Sequence, residues 1–246
     1  MQQICTIRHD INTVDEYYDK ENTYWNNTMP LLQEYEVKFI NMVCTCPFKD
    51  ELDIPKTFYL IAEYNMKTFS SEIITLLQEE NRLADEYGKL KAKAKIEFDN
   101  ETYNLASIGI KMTDPDRDVR KRAAIAYTNY FKEHEDEFDD VYDKLVKVRD
   151  EMAKKLGYKT FTELAYYRMF RFDYDQEMVE TYRNEVVKDV VPLSVKLRQR
   201  QAKRIGLDKL EYWDLKYNFK TGNPTPKGDI EYLVSAANKM YSKMSN

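Results

Sequence analysis

His134-Glu135-Asp136-Glu137-Phe138 is the first stretch whose residue types could do chemistry. A helical H-E-x-x-H sets two imidazoles one turn apart on one face, where they bind zinc and the glutamate polarises a bound water. Here the fourth residue on is Phe138, and the only other histidine is His9. A solvated junction between two helices accounts for the segment better than a metal site. Glu133, Glu135, Asp136, Glu137, Asp139, Asp140 and Asp143 could hold a divalent cation, but they spread around a helix. An acid-rich start suits the positive end of a helix dipole. Cys44-Thr45-Cys46 could be half of a metal site or a redox pair, yet no second pair or nearby histidine completes it. Reduced thiols at a helix end are the better reading, and three cysteines without framework spacing point to a reducing compartment. Lys196, Arg198, Arg200, Lys203 and Arg204 form a basic run that suits the negative end of a helix dipole. A net charge of -5 and the lack of interleaved aromatics argue against a nucleic-acid surface.

The cluster with most chemical content is Tyr166, Tyr167, Arg168, Arg171, Asp173 and Tyr174. Phenols and guanidinium groups grip peptide carbonyls and carboxylates. The same side chains also bridge packed helices through an apolar body and a polar tip, and that structural role is the better supported of the two. No base and nucleophile pair, G-x-S-x-G, phosphate loop or dinucleotide fingerprint is present, so no catalytic residue is expected in this chain.

The elements that must position these groups are helices. Few breakers (6 Gly and 7 Pro) and long stripes of apolar residues predict an all-α protein of about seven to nine helices in an antiparallel array. One stripe runs from Thr13 to about Met42, interrupted or kinked at Pro30, and the next from Lys56 to about Lys91 with a break at Ser70-Ser71. Lys93 to Leu105 alternates around Asp99-Asn100 and predicts one small β-hairpin, followed by a short helix or turn from Leu105 to Met112. Asp114 as N-cap with Pro115 at the first position predicts a new helix. Gly157 should end the next one in a left-handed cap, and Thr160 with Glu163 reads as a capping box. A helix capped by Asp175 should kink at Pro192 and end at Gly206, and a last one should begin near Asp229. No segment approaches the roughly 20 apolar residues that cross a bilayer, and residues 1–10 show no signal-peptide pattern, so a cytoplasmic protein is expected.

DPDRDVR at 114–120, KVRDEMAKKLGYKTFTELAYYRM at 147–169 and DYD at 173–175 resemble, in order and spacing, the oligoendopeptidase F-like (thimet-type) zinc metallopeptidases. The resemblance extends over most of the chain and implies an oligoendopeptidase-like fold, largely helical, with a deep channel around a zinc site. The activity it implies is hydrolysis of short peptides, with oligopeptides as partners. It also implies that the zinc motif and the active-site Tyr and His lie downstream of the matched region. The expectation is therefore a truncated N-terminal part of such an enzyme, non-catalytic alone. Residues 1–112 would form an N-terminal helical region ending in the hairpin, and residues 113–246 the first helices of the peptidase domain. No cofactor is expected in this chain, while zinc is expected in the full-length family. By resemblance, Tyr166, Tyr167, Arg168, Arg171 and Tyr174 belong to the wall of the substrate channel and are the tentative substrate-binding residues. Two alternatives stay open: a helical protein-binding or dimerisation module with exposed apolar faces, and half of a split peptidase completed by a second chain. Neither nucleic acid nor membrane is expected as a partner.

Overall fold

Short polar side chains and glycines set where each helix starts and stops. They can be followed in a computed structural model that describes residues 1–244. Ten α-helices and one two-stranded antiparallel sheet form among the described residues. That is more helices than the apolar stripes predict. One reason is α1 (Gln2–Ile11), a polar segment whose only buried side chains, Cys5 and His9, lie one turn apart. The other is that the long stripe after Asp175 divides into α8 (Gln176–Glu185) and α9 (Val191–Ile205) around a π-helical turn, Val186–Val190. Pro192 has no amide hydrogen to give the preceding turn, and the wider i to i+5 ladder, in which Val191 N–H reaches the Val186 carbonyl, absorbs the defect.

The chain divides into two units, Met1–Ile108 with Ile125–Leu193 and Gly109–Ala124 with Ser194–Asn246. In the first unit, α2 (Glu16–Thr45) carries Pro30 in its interior and starts at Asp15, whose side chain accepts from the amides of Tyr17 and Tyr18 at 3.0 and 3.2 Å. α3 (Lys56–Thr68) and α4 (Ile74–Ala92) are separate helices, parted at Ser70, whose hydroxyl caps a 3₁₀ turn over Ser71–Ile73. β1 (Ile96–Phe98) and β2 (Glu101–Tyr103) pair with Phe98 opposite Glu101. Asp99 and Asn100 make the turn with φ of 49° and 64°, the doubly left-handed geometry that small polar side chains tolerate without glycine.

α6 (Glu135–Lys155) ends as expected at Gly157, φ +82°. Gly157 N–H reaches the Lys154 carbonyl at 3.0 Å and Tyr158 N–H reaches that of Ala153 at 2.9 Å, the paired bonds of a Schellman cap. α7 (Phe161–Arg168) follows. Its expected capping box forms only in part. Thr160 holds the N-cap position without a side-chain bond, and Glu163 reaches past it to the amide of Lys159 at 3.3 Å. Buried Ile73, Met152, Ala153 and Leu164 make a core cluster, with Leu76, Leu77, Val148, Leu156, Tyr158 and Phe161 packed against it. The cluster joins α4, α6 and α7.

In the second unit, a 3₁₀ segment over Ser107–Thr113 leads to α5 (Arg117–Glu133), which starts two residues later than Asp114-Pro115 predicts. Asp114 Oδ1 accepts from the Asp116 amide at 2.8 Å, and Asp116 in turn accepts from the Asp118 amide. Two successive side-chain turns therefore delay the helix. α9 ends at Gly206, φ +80°, in a second Schellman cap. α10 (Ile230–Met244) begins at Asp229, whose side chain accepts from the Tyr232 amide at 2.8 Å.

Candidate functional site

The Tyr and Arg cluster is shaped by the end of α7. Phe170 adopts φ +51°, so the chain reverses there: Phe170 N–H bonds the Tyr167 carbonyl at 3.0 Å and Arg171 N–H that of Tyr166 at 3.1 Å. A bulky residue in the left-handed region costs roughly 1–2 kcal/mol. The reversal folds Arg171 back over the helix. Its guanidinium lies 4.4 Å from the Tyr166 ring centroid and 5.5 Å from that of Tyr174, while the two rings meet edge to face at 6.5 Å. No carboxylate pairs with Arg171 among the described residues. Its planar donors remain directed by two phenol rings rather than by an acid.

The other two candidates point elsewhere. Tyr167 meets Tyr64 at 4.9 Å and Tyr158 at 5.7 Å, with the Lys67 ammonium 4.7 Å over its ring. Tyr64 donates to the Arg171 carbonyl at 3.3 Å and Tyr158 to that of Lys67 at 2.9 Å, so this knot ties α3 to α7. Arg168 makes a two-pronged bond to Glu80 at 2.7 and 3.2 Å, and Arg149 adds a third at 2.7 Å. The Phe161 ring lies within 5.6 and 5.8 Å of the two guanidinium carbons. Burial pushes the Glu80 carboxyl up, but the hydrogen bonds and charges of Arg168 and Arg149 outweigh it and hold the group below the usual range. Of the five predicted residues, the structure thus brings Tyr166, Arg171 and Tyr174 together, and gives Tyr167 and Arg168 structural partners.

Glu80 was not singled out by sequence reasoning. Its partners are 69 and 88 residues away, and only its place on the apolar side of α4 marks it. Glu80→Gln should lower stability by about 1–3 kcal/mol in urea denaturation, since both arginines keep some contact with water and can rehydrate. The loss should appear above the ordinary glutamate pKa and shrink as pH falls through the lowered folded-state value.

The residues do not fit a zinc centre of the H-E-x-x-H kind. His134 stacks on Tyr130 at 4.6 Å and bonds Glu137, which also takes Lys93. Phe138, where a second imidazole would be needed, packs on Phe131 at 5.2 Å. The acidic residues beyond it pair within the helix, Asp140 with Lys144 and Asp143 with Lys147, both at 2.5 Å. One group among the described residues does come within ligating distance: His9, Asp19 and Asp85, whose ligand atoms lie within 4.8 Å of one another. His9 is buried, with Nε2 3.3 Å from Asp19 and 3.6 Å from Asp85. The cation between these carboxylates is the Lys89 ammonium, 2.9 Å from Asp85 and in contact with Asp19. Its hydrogen bond holds Asp19 below the usual carboxylate range. The arrangement ties α1, α2 and α4 together.

In the second unit, Asp214 is fully buried and accepts from Arg117 at 2.8 and 3.1 Å, from Arg120 at 3.0 Å and from the Glu211 amide at 3.0 Å. Arg120 is itself 2% exposed and lies 4.2 Å over the Tyr217 ring. From the basic run, Arg198 reaches the Leu215 carbonyl at 3.1 Å and Arg204 that of Asn218 at 2.6 Å. These arginines hold the loop after α9.

Comparison with known proteins gives this geometry a context. The family model described as the peptidase M3 N-terminal domain matches residues 1–69, and that of peptidase family M3 matches residues 110–232. Among solved structures, one described as an oligoendopeptidase F from Bacillus anthracis strain Ames is 42% identical over 98% of this chain, with a TM-score of 0.93. PZ peptidase A, solved with an inhibitor, is 44% identical over 98% of it, with a TM-score of 0.95. A further structure described as an oligoendopeptidase F is 42% identical over 99%, with a TM-score of 0.96. The chain spans 43–45% of the length of these relatives. No curated protein sequence matches it.

Proposed function

We propose the following role for this chain, which belongs to peptidase family M3: it forms a helical wall beside the peptide-binding channel of an oligopeptidase and does not cleave peptides on its own. The observation that carries this reading is identity of 42–44% across nearly the whole chain to proteins described as oligoendopeptidase F and PZ peptidase A, in a sequence that holds only His9 and His134. The zinc that the family resemblance implies polarises the scissile carbonyl and its attacking water when bound, and its ligands come from outside this chain. Within the chain, residues 1–112 act as the N-terminal helical region and residues 113–246 as the first helices of the peptidase domain. Tyr166, Arg171 and Tyr174 contact the substrate. The stacked guanidinium donates to a peptide carbonyl or terminal carboxylate, and the phenols flank it. Arg168 and Tyr167 keep that surface in place through Glu80 and through Tyr64 and Tyr158. The three cysteines are free thiols, in keeping with a cytoplasmic protein. No helix of the described residues is long and apolar enough to cross a membrane.

The purified chain should leave a quenched fluorescent peptide intact. Cleavage by the chain alone, abolished by a chelator, would overturn the reading. In an active assembly with the rest of an M3 fold, Arg171→Ala should raise KM roughly tenfold with little change in kcat, because a grip on the substrate's ground state is lost. An unchanged KM would remove Arg171 from the substrate surface.

A further inference from the structure

We infer that His9, Asp19 and Asp85 bind a divalent transition ion of the zinc class, which takes the place of the Lys89 ammonium and clamps α1 onto α2 and α4. Nothing in this site depends on the channel-wall role proposed above. His9 is 3% exposed, and its Nε2 is a buried nitrogen without a hydrogen-bond partner. The atom nonetheless faces two acids, with Asp19 Oδ1 at 3.3 Å and Asp85 Oδ1 at 3.6 Å. Leaving a buried polar atom unpaired is costly, so such an atom points to a group that can pair with it.

The spacing suits an ion better than a hydrogen bond. Two ligands on a tetrahedral zinc stand about 3.3–3.4 Å apart, given metal–ligand distances of about 2.0–2.1 Å. Both separations from Nε2 are close to that value, and the three ligand atoms lie within 4.8 Å of one another. One imidazole with two carboxylates is a donor set that zinc accepts, whereas calcium and magnesium prefer oxygen alone. Charge agrees with the donor set. Lys89 contacts both acids but brings one positive charge to two carboxylates, and a divalent ion balances both. Asp85 is already oriented, since buried Asn22 donates to its Oδ1 at 3.0 Å. A cleft of about 480 Å³, lined in part by His9, Asp85, Gly88, Lys89 and Asn104, gives the ion a way in. The Lys89 side chain is 35% exposed and can swing into that cleft. The effect falls on α1, whose only buried side chains are Cys5 and His9. An ion on His9 tethers a helix that otherwise has few buried contacts to hold it. The ligands come from three helices, so no spacing in the sequence marks them.

The test is titration of the chelator-treated chain with zinc chloride, read by equilibrium dialysis and by NMR of the imidazoles. The chain has two histidines, and His134→Ala assigns their signals. One zinc should bind per chain at micromolar free zinc, shifting the His9 signals and leaving those of His134 in place. Hydrogen exchange in α1 should slow when zinc is added. Asp85→Asn keeps the shape of the side chain and should weaken binding roughly a hundredfold, since a ligand is lost. Lys89→Met should tighten it roughly tenfold, because the ion no longer has to displace a bound charge. A site that serves only as an ion pair gains nothing from that change. Cys44→Ser combined with Cys46→Ser should bind like the parent. The inference is overturned if the parent takes up no zinc, if zinc shifts His134 instead of His9, or if the cysteine variant loses the ion. It is equally overturned if Asp85→Asn binds like the parent, if Lys89→Met binds no tighter, or if α1 exchanges at the same rate with and without zinc.

Discussion

Asp214→Ala is expected to be among the most damaging single substitutions in this chain, costing about 3–5 kcal/mol. The loss does not equal the worth of the ion pairs, because desolvation offsets much of their attraction. It comes from what remains: Arg120, only 2% exposed, would keep its charge with no carboxylate beside it. Arg120 would retain its bonds to the carbonyls of Asp114 and Pro115 at 2.7 and 3.0 Å, which set an upper limit on the damage. Urea denaturation, with hydrogen exchange followed over residues 194–214, would register the effect. A change below about 1 kcal/mol would show that water or a shifted side chain replaces the carboxylate. The effect should also depend on pH. Burial pushes the Asp214 carboxyl up, but the bonds from Arg117, the Glu211 amide and Arg120 prevail and hold it below the ordinary range. Its contribution is therefore complete above the unfolded-state value of about 3.9 and fades as pH falls through the lower folded-state value. Parent and Asp214→Ala should converge in stability in strong acid.

Leu164→Ala should cost about 2–5 kcal/mol. Leu164 is fully buried against Ile73, Met152 and Ala153, where two short helix ends and α4 meet. Backbone that is already capped at Gly157 and reversed at Phe170 has little freedom to collapse into the space left behind. Met169→Ala, five residues on and 51% exposed, should stay within about 0.5 kcal/mol of the parent and serves as the control. Equal effects at the two positions would contradict the packing described here. Arg171 lies just beyond both, so loss of Leu164 should also disturb its contacts with the Tyr166 and Tyr174 rings.

The words that identify the family in the sequence turn out to be architectural. DPDRDVR supplies Arg117 and Arg120, the partners of a buried carboxylate. LGYKTFTELAYYRM supplies a Schellman glycine, the core residue Leu164 and the Glu80 partner Arg168. Of these, only the glycine cap is legible from local sequence; the buried ion-pair partners are not. Glu80 and Asp214 are ordinary acids in the sequence, and their partners lie about 70 to 100 residues away.

Local rules were enough for most of the helices, the hairpin, the glycine caps and the break at Ser70, because each depends on interactions within a few residues. They failed by one or two residues where neighbouring caps competed, as Asp116 did with Asp114 and Lys159 with Thr160. They also missed α1, whose apolar face is too short to stand out from its polar residues. What only the tertiary structure decided is which Tyr and Arg side chains are occupied. A guanidinium on α7 is consumed by a buried glutamate on α4, while another, three residues further on, lies against two phenol rings. The sequence contains both arginines in the same helical neighbourhood. Burial and the reversal at Phe170, which depend on the packed neighbours, assign them different tasks.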